Sequence, residues 1–298
     1  GAVASVFILF GISILYGLTG SLDLSAVVKS LNTNAQGQSL IILLAVIFII
    51  SGAAFKLALV PFHMWIPDVY VGANPVMTLF LSAAPKIAGF AIFFRLSLAG
   101  LFEVLPAIHH ILAFVALASI IIGNLAALVQ KDLRRLLAYS TISHMGYAVL
   151  GFAAGTHSGN SASLFYILVY SLMTIAAFSA ILLSKDNKVL LLDISDLQGL
   201  NKRTPWLAAM LMIVFFSMAG VPPAIGFFAK FFIIRALIDS HMYWVAGIAL
   251  VLAVVGAFYY LRIIKTMYFD APSEKQQPIA VAVGQRVVYI LQASFLLA

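Results

Sequence analysis

Apolar residues run along this chain in continuous blocks, and polar residues collect in the short stretches between them. The blocks fall at roughly 1–18, 40–70, 75–97, 107–130, 134–154, 161–184, 205–238 and 242–268, with part of a ninth from about 280. Most are about twenty residues long, the length of a helix that crosses a bilayer, without the roughly ten-residue alternating segments of barrel strands. In lipid only helices or closed barrels satisfy the backbone. The pattern predicts an all-α polytopic membrane protein.

Two blocks, 40–70 and 205–238, are too long for one straight crossing. Both carry proline: Pro61 and Pro67 in the first, Pro222 and Pro223 in the "GVPPAIG" stretch (220–226) of the second. Proline removes a backbone donor and clashes with the preceding turn, so both helices are expected to break. Within lipid a break is tolerated only against protein or a water-filled cavity. Discontinuous helices in corresponding places of two halves point to an internal repeat and to a transport pathway.

Composition removes the soluble classes. The chain is 63% hydrophobic and 9% charged, against about 25% charged in soluble domains. Its net charge of +7 is not a nucleic-acid signal, because the basic residues sit in short loops where they set topology. "QKDLRR" (130–135), 184–203 and 262–275 are basic, whereas 98–110 and 155–160 have no Lys or Arg. The basic loops are expected to face the cytoplasm, and 19–38 is expected to be an outer loop. With no cysteine, disulfides and thiolate-held iron–sulfur clusters are excluded from this chain. The chain opens at Gly1 inside one apolar run and stops inside another, with neither initiator Met nor signal peptide. It is expected to be the interior-to-C-terminal part of a longer protein.

The chemistry lies in the charges that the blocks enclose. All ten carboxylates flank the spans, whereas Lys56, Lys86 and Lys230 lie within them. Lys56 precedes the first break and Lys230 follows the second. Lys86 and His144 fall about ten residues into their spans, near mid-membrane at about 1.5 Å per residue. A charge there costs at least about 2.5–3.5 kcal/mol. Desolvation also disfavours the charged form of an amine, so such a group can take up and release protons. These four residues form the candidate proton path, with His144, whose ordinary pKa is about 6.5, either coupling Lys86 to Lys230 or serving as helix–helix glue. The breaks are expected to supply hydration, and Pro85 to loosen the helix beside Lys86.

Other polar positions have plainer readings. Arg95 and Arg235 snorkel from helix ends, and Arg134 and Arg135 are ordinary loop-flanking cations. His63 caps carbonyls freed by the break, Asn124 joins helices, and Gly151 with Gly155 makes a small-residue contact.

The stretch "FKLALVPFHMWIPDVYVGANPVMTLFLSAAPKIAGFAIFFRL" (55–96) resembles the antiporter-like subunits of respiratory complex I. "GNLAALVQKDLRRLLAYSTISHMGY" (123–147) and "SMAGVPPAIGFFAKFFIIRALI" (217–238) support it. Among these subunits the "PDVY-x-GA" form is most similar to subunit N, although this chain reads "GANP" where "GAP" is usual. The resemblance implies fourteen helices with two inverted five-helix repeats. Residues 1–97 would be the remainder of the first repeat (helices 6–8), 107–268 the second (helices 9–13), and 280–298 a partial last helix. It implies that Lys56 pairs with a glutamate upstream of Gly1, that Lys86 is the central lysine and that Lys230 serves an outer half-path.

It also implies a proton-translocating subunit of NADH:quinone oxidoreductase with no cofactor in this chain. NADH, FMN, iron–sulfur clusters and quinone would belong to partner subunits. The expected partners are other membrane subunits and the lipid bilayer, with no nucleic acid. The expected location is a bacterial inner membrane, before a mitochondrial one. An Mrp-type cation/proton antiporter subunit shares the lysines and the broken helices, and a purely structural membrane subunit is the alternative of a different class.

Overall fold

The computed structural model describes residues 1–34, 39–183, 185–186, 189–190, 192–271 and 296. In chain order the helices are α1 (Ala2–Thr19), α2 (Leu24–Asn34), α3 (Ser39–Leu57), α4 (Trp65–Gly72), α5 (Pro75–Leu98), α6 (Ala107–Leu128), α7 (Leu133–Ala153), α8 (His157–Leu183), α9 (Leu200–Arg203), α10 (Pro205–Ala219), α11 (Ile225–Asp239) and α12 (Tyr243–Phe269). A two-residue β pair, Lys185–Asp186 with Val189–Leu190, and a 3-10 turn at Ile194–Leu197 lie between α8 and α9. Six of the helices are long and apolar enough to cross a membrane, and the fold is an all-α multi-pass bundle.

Local chemistry sets the ends. Asn74 accepts the Val76 N–H at 3.0 Å with Pro75 at the first helical position, which starts α5. Asp132 accepts the Arg135 N–H at 2.9 Å and starts α7. Gly20 and Gly220 close α1 and α10 in the left-handed conformation, at φ 69° and 82°.

Helix α7 is the axis. From Leu136 to Ala153 every residue except Tyr139 is buried, because α4, α6, α8 and α11 pack around it. Its close contact with α6 rests on two glycines. A Cβ on Gly123 would stand 2.6 Å from the Ser143 nitrogen, and one on Gly146 would stand 2.7 Å from the Ala116 carbonyl oxygen. A span with polar residues on several sides is thus kept away from lipid.

Both long blocks are broken as expected, over residues 58–64 and 220–224. Several expectations need correction. Pro67 breaks nothing: it is the third residue of α4, in the first turn, where a missing N–H costs little. Pro85 leaves α5 helical throughout. The expected outer loop at 19–38 contains α2, whose Val27, Val28 and Leu31 are buried while Lys29 and Asn32 face outward; the stretch is too polar to read as a span but is amphipathic at helical spacing. Helix α8 starts at His157 rather than 161, since the Thr156 hydroxyl accepts the Gly159 N–H at 3.1 Å. Gly155 lies in a turn (φ 62°) against the His109 ring of α6, and Gly151 lies against the Ser163 hydroxyl and the Gly159 carbonyl of α8. The partial helix expected at 280–298 lies outside the described residues, apart from position 296.

Candidate functional site

The first break frees the carbonyls at the end of α3, and side chains from three other elements meet it. Trp65 Nε1 donates to Phe55 O at 3.0 Å, and Lys86 Nζ donates to Lys56 O at 3.3 Å. The Ser119 hydroxyl of α6 accepts the Val60 N–H at 2.9 Å. His63 is buried, but its Nδ1 has no partner among the described residues. His63 keeps a backbone hydrogen bond to Pro61 within the break, while Trp65 and Lys86 cap the carbonyls of Phe55 and Lys56. Ser119→Ala is expected to leave the Val60 N–H unsatisfied in an apolar interior, at a cost of about 1–3 kcal/mol. A lowered unfolding temperature of the assembled protein checks this, and an unchanged one contradicts it.

The second break is built the same way. Lys230 Nζ donates to Met218 O at 3.0 Å and Ala219 O at 2.9 Å, the last carbonyls of α10. The Gly226 N–H donates to the Ser217 hydroxyl at 3.2 Å. Each deep lysine thus sits at the C-terminal end of a half-helix, where the backbone dipole favours a cation and orphan carbonyls need donors. The lysine amines supply donors to carbonyls that the breaks leave free. Lys86 is fully buried and Lys230 is 8% exposed. Lys230 also borders a cavity of about 420 Å³ between α11 and α12, lined mainly by apolar residues such as Phe231, Leu250 and Val254.

His144 lies on α7, which packs against both α5 and α11. It does not face lipid, being 3% exposed. Its Nδ1 is 2.7 Å from the Tyr166 hydroxyl and its Nε2 3.1 Å from the Tyr260 hydroxyl. A neutral imidazole has one donor and one acceptor nitrogen, so it donates to one tyrosine and accepts from the other. Tyr260 continues to Ser140 through a short hydrogen bond. Toward Lys86, the His144 ring is 5.4 Å from the Tyr170 ring, whose hydroxyl donates to Thr141 Oγ1 (2.9 Å) and reaches the carbonyl of Ser82 (3.4 Å), one turn before Lys86. Toward Lys230, Tyr166 stacks on Tyr147 at 6.0 Å, and the Lys230 ammonium lies 5.6 Å from the centre of the Tyr147 ring.

Lys86, His144 and Lys230 therefore share one buried band, without a direct hydrogen bond between His144 and either lysine. The tyrosines and hydroxyls that fill the gaps were not singled out from the sequence. A signal existed: Ser140, Thr141, His144 and Tyr147 form a stripe at i, i+1, i+4, i+7 on α7, and Tyr166 and Tyr170 are spaced i, i+4 on α8. Lys56 stands apart. Its side chain is exposed and makes no ion pair among the described residues. Asn124 joins α6 to α12, donating to Leu252 O at 2.8 Å and accepting from Tyr259 at 3.3 Å. Arg235 is exposed beside Asp239 at 3.9 Å. Among the described residues no three His, Asp or Glu side chains gather as a metal site requires.

Residues 1–256 match the transmembrane family of NADH:quinone oxidoreductase and Mrp antiporters. The chain belongs to this family. It is 48% identical over 279 residues to NADH-quinone oxidoreductase subunit N of Nitrosomonas europaea, covering 94% of this chain and 58% of that one. A chain of respiratory complex I from Thermus thermophilus is 33% identical, with a TM-score of 0.83, covering 100% of this chain and 64% of that one. A chain of the Mrp complex from Dietzia shares the fold at 22% identity, with a TM-score of 0.87 over 99% of this chain and 62% of that one. This member of the family spans about three fifths of the length of these relatives. The antiporter-like bundle expected from "FKLALVPFHMW" and its neighbours is the fold observed.

Proposed function

We propose that this chain is part of a proton-translocating membrane subunit of an NADH:quinone oxidoreductase, of the subunit N type, in a bacterial inner membrane. Its residues 1–97 and 107–268 would belong to two inverted repeats, with other membrane subunits of the complex as partners. Electron transfer from NADH to quinone takes place in those other subunits, and this chain holds and moves protons. The observation that carries the reading is the buried band that joins Lys86, His144 and Lys230, with each lysine amine seated on the carbonyls of a broken helix. The 48% identity to a subunit N, against 22% to a chain of an Mrp complex, favours it over an Mrp-type antiporter. Three lysines inside the spans, two of them buried with their amines on backbone carbonyls, argue against a purely structural subunit.

In this reading a proton is held at Lys86 Nζ or Lys230 Nζ and passes between them through His144, Tyr166, Tyr170 and intervening water, since hydrogen bonds of about 3 Å do not span the whole band. Lys56 is the entry-side group, and its charge is completed by a carboxylate outside this chain. The test is His144→Ala in the assembled complex, reconstituted in vesicles and driven by NADH and quinone. Assembly is expected to persist and proton transfer to slow by about tenfold or more, since a positioned proton-transfer group contributes about 10²–10⁴-fold. Proton transfer at the unsubstituted rate would remove His144 from the path.

A further inference from the structure

Lys86 keeps its amine in the bundle interior with few partners. Its Nζ donates to Lys56 O at 3.3 Å and lies 4.6 Å from the centre of the Trp65 ring. An ammonium has three donors and no acceptor, and Lys86 makes no ion pair among the described residues. Lys230 is held differently, by two carbonyls at 2.9 and 3.0 Å with its aromatic ring farther off at 5.6 Å. Indole offers a cation the most negative face of the common aromatic side chains, and the attraction grows as water is removed. Lys86 depends on an aromatic face where Lys230 depends on backbone.

Trp65 is also tied to the break. It is the first residue of α4, its Nε1 donates across the break to Phe55 O at 3.0 Å, and its ring stacks on Phe55 with centroids 5.5 Å apart. Phe55 O and Lys56 O are consecutive carbonyls in the last turn of α3. Trp65 takes the first and Lys86 takes the second. A shift between the end of α3 and the start of α4 must therefore move the indole and the ammonium together.

We propose that Trp65 is a positioning residue for Lys86, its π-face holding the charged amine and its N–H coupling that hold to the geometry of the first break. Proton exchange at Lys86 then depends on the electron density of the indole and not only on its bulk. The proposal rests on Lys86 being a proton carrier.

The experiment is a series of mono- to tetrafluorinated tryptophans placed at position 65 of the chain within the intact complex, with proton pumping measured per NADH oxidised. Fluorine drains the ring face while keeping its shape and its N–H. Pumping is expected to fall stepwise along the series, by about tenfold at the tetrafluoro end, as loss of a desolvated cation–π contact implies. A benzothiophene side chain, which keeps the ring face and lacks the N–H, is expected to pump better than the tetrafluoro variant. Trp65→Phe is expected to retain more activity than Trp65→Leu. A flat fluorine series, with Lys86→Met inactive, overturns the role of Trp65 alone. Normal pumping in Lys86→Met overturns the reading of Lys86 itself.

Discussion

Lys86→Met is expected to assemble normally and to lose proton pumping by about a hundredfold. Met keeps much of the length of the side chain and removes the amine, so the fully buried site is refilled with apolar volume. Exchange of a buried charge for an apolar group of similar size is often neutral for stability, and the donor lost from Lys56 O costs about 1 kcal/mol. What disappears is the group that holds the proton, worth about 10²–10⁴-fold in a transfer step. Lys86→Arg separates charge from exchange. A guanidinium keeps a positive charge beside Trp65 and the α3 carbonyls but does not release its proton. Pumping by reconstituted vesicles, alongside NADH oxidation and subunit content, measures both variants. Full pumping by Lys86→Arg would show that the site supplies only fixed charge.

Gly226→Ala is expected to have the largest effect on stability. A Cβ at this position would run into the carbonyl of Ser217, a backbone group that cannot rotate aside. The two half-helices α10 and α11 must separate to admit it, and the Gly226 N–H then leaves the Ser217 hydroxyl. Overpacking of this kind costs about 1–3 kcal/mol, and an orphaned buried donor adds a similar amount. Lys230 lies one turn further along α11, so the shift also draws its amine from Met218 and Ala219. The expected result is a lower unfolding temperature and a smaller amount of assembled subunit in the membrane, with reduced pumping by what remains. Wild-type stability and pumping in this variant would mean that the close approach of the half-helices is not required.

The spans and both breaks could be read from the sequence because each has a local cause. A run of about twenty apolar residues has to be helical in lipid, and proline inside an overlong run has to interrupt it. Lys86, His144 and Lys230 were legible for the same reason: a titratable group in the middle of an apolar block is expensive wherever the helix ends up. Pro67 was misread because proline has opposite meanings in the first turn and in the interior of a helix, and only the observed start of α4 at Trp65 tells them apart. Helix α2 was missed because three buried apolar residues among polar ones give a weak signal.

The sequence by itself determined which stretches cross the membrane, where they break, and which charges lie inside. Those properties depend on each segment and its solvent. The tertiary structure decided the partners. It made α7 the enclosed axis, seated Lys86 on the end of α3 and Lys230 on the end of α10, and brought tyrosines from α8 and α12 onto the two nitrogens of His144. Residues 22 and 116 positions apart in the chain meet at that imidazole. Contacts across such separations depend on how whole helices pack, through glycine approaches such as Gly123 on Ser143, and periodicity within one segment carries no record of them.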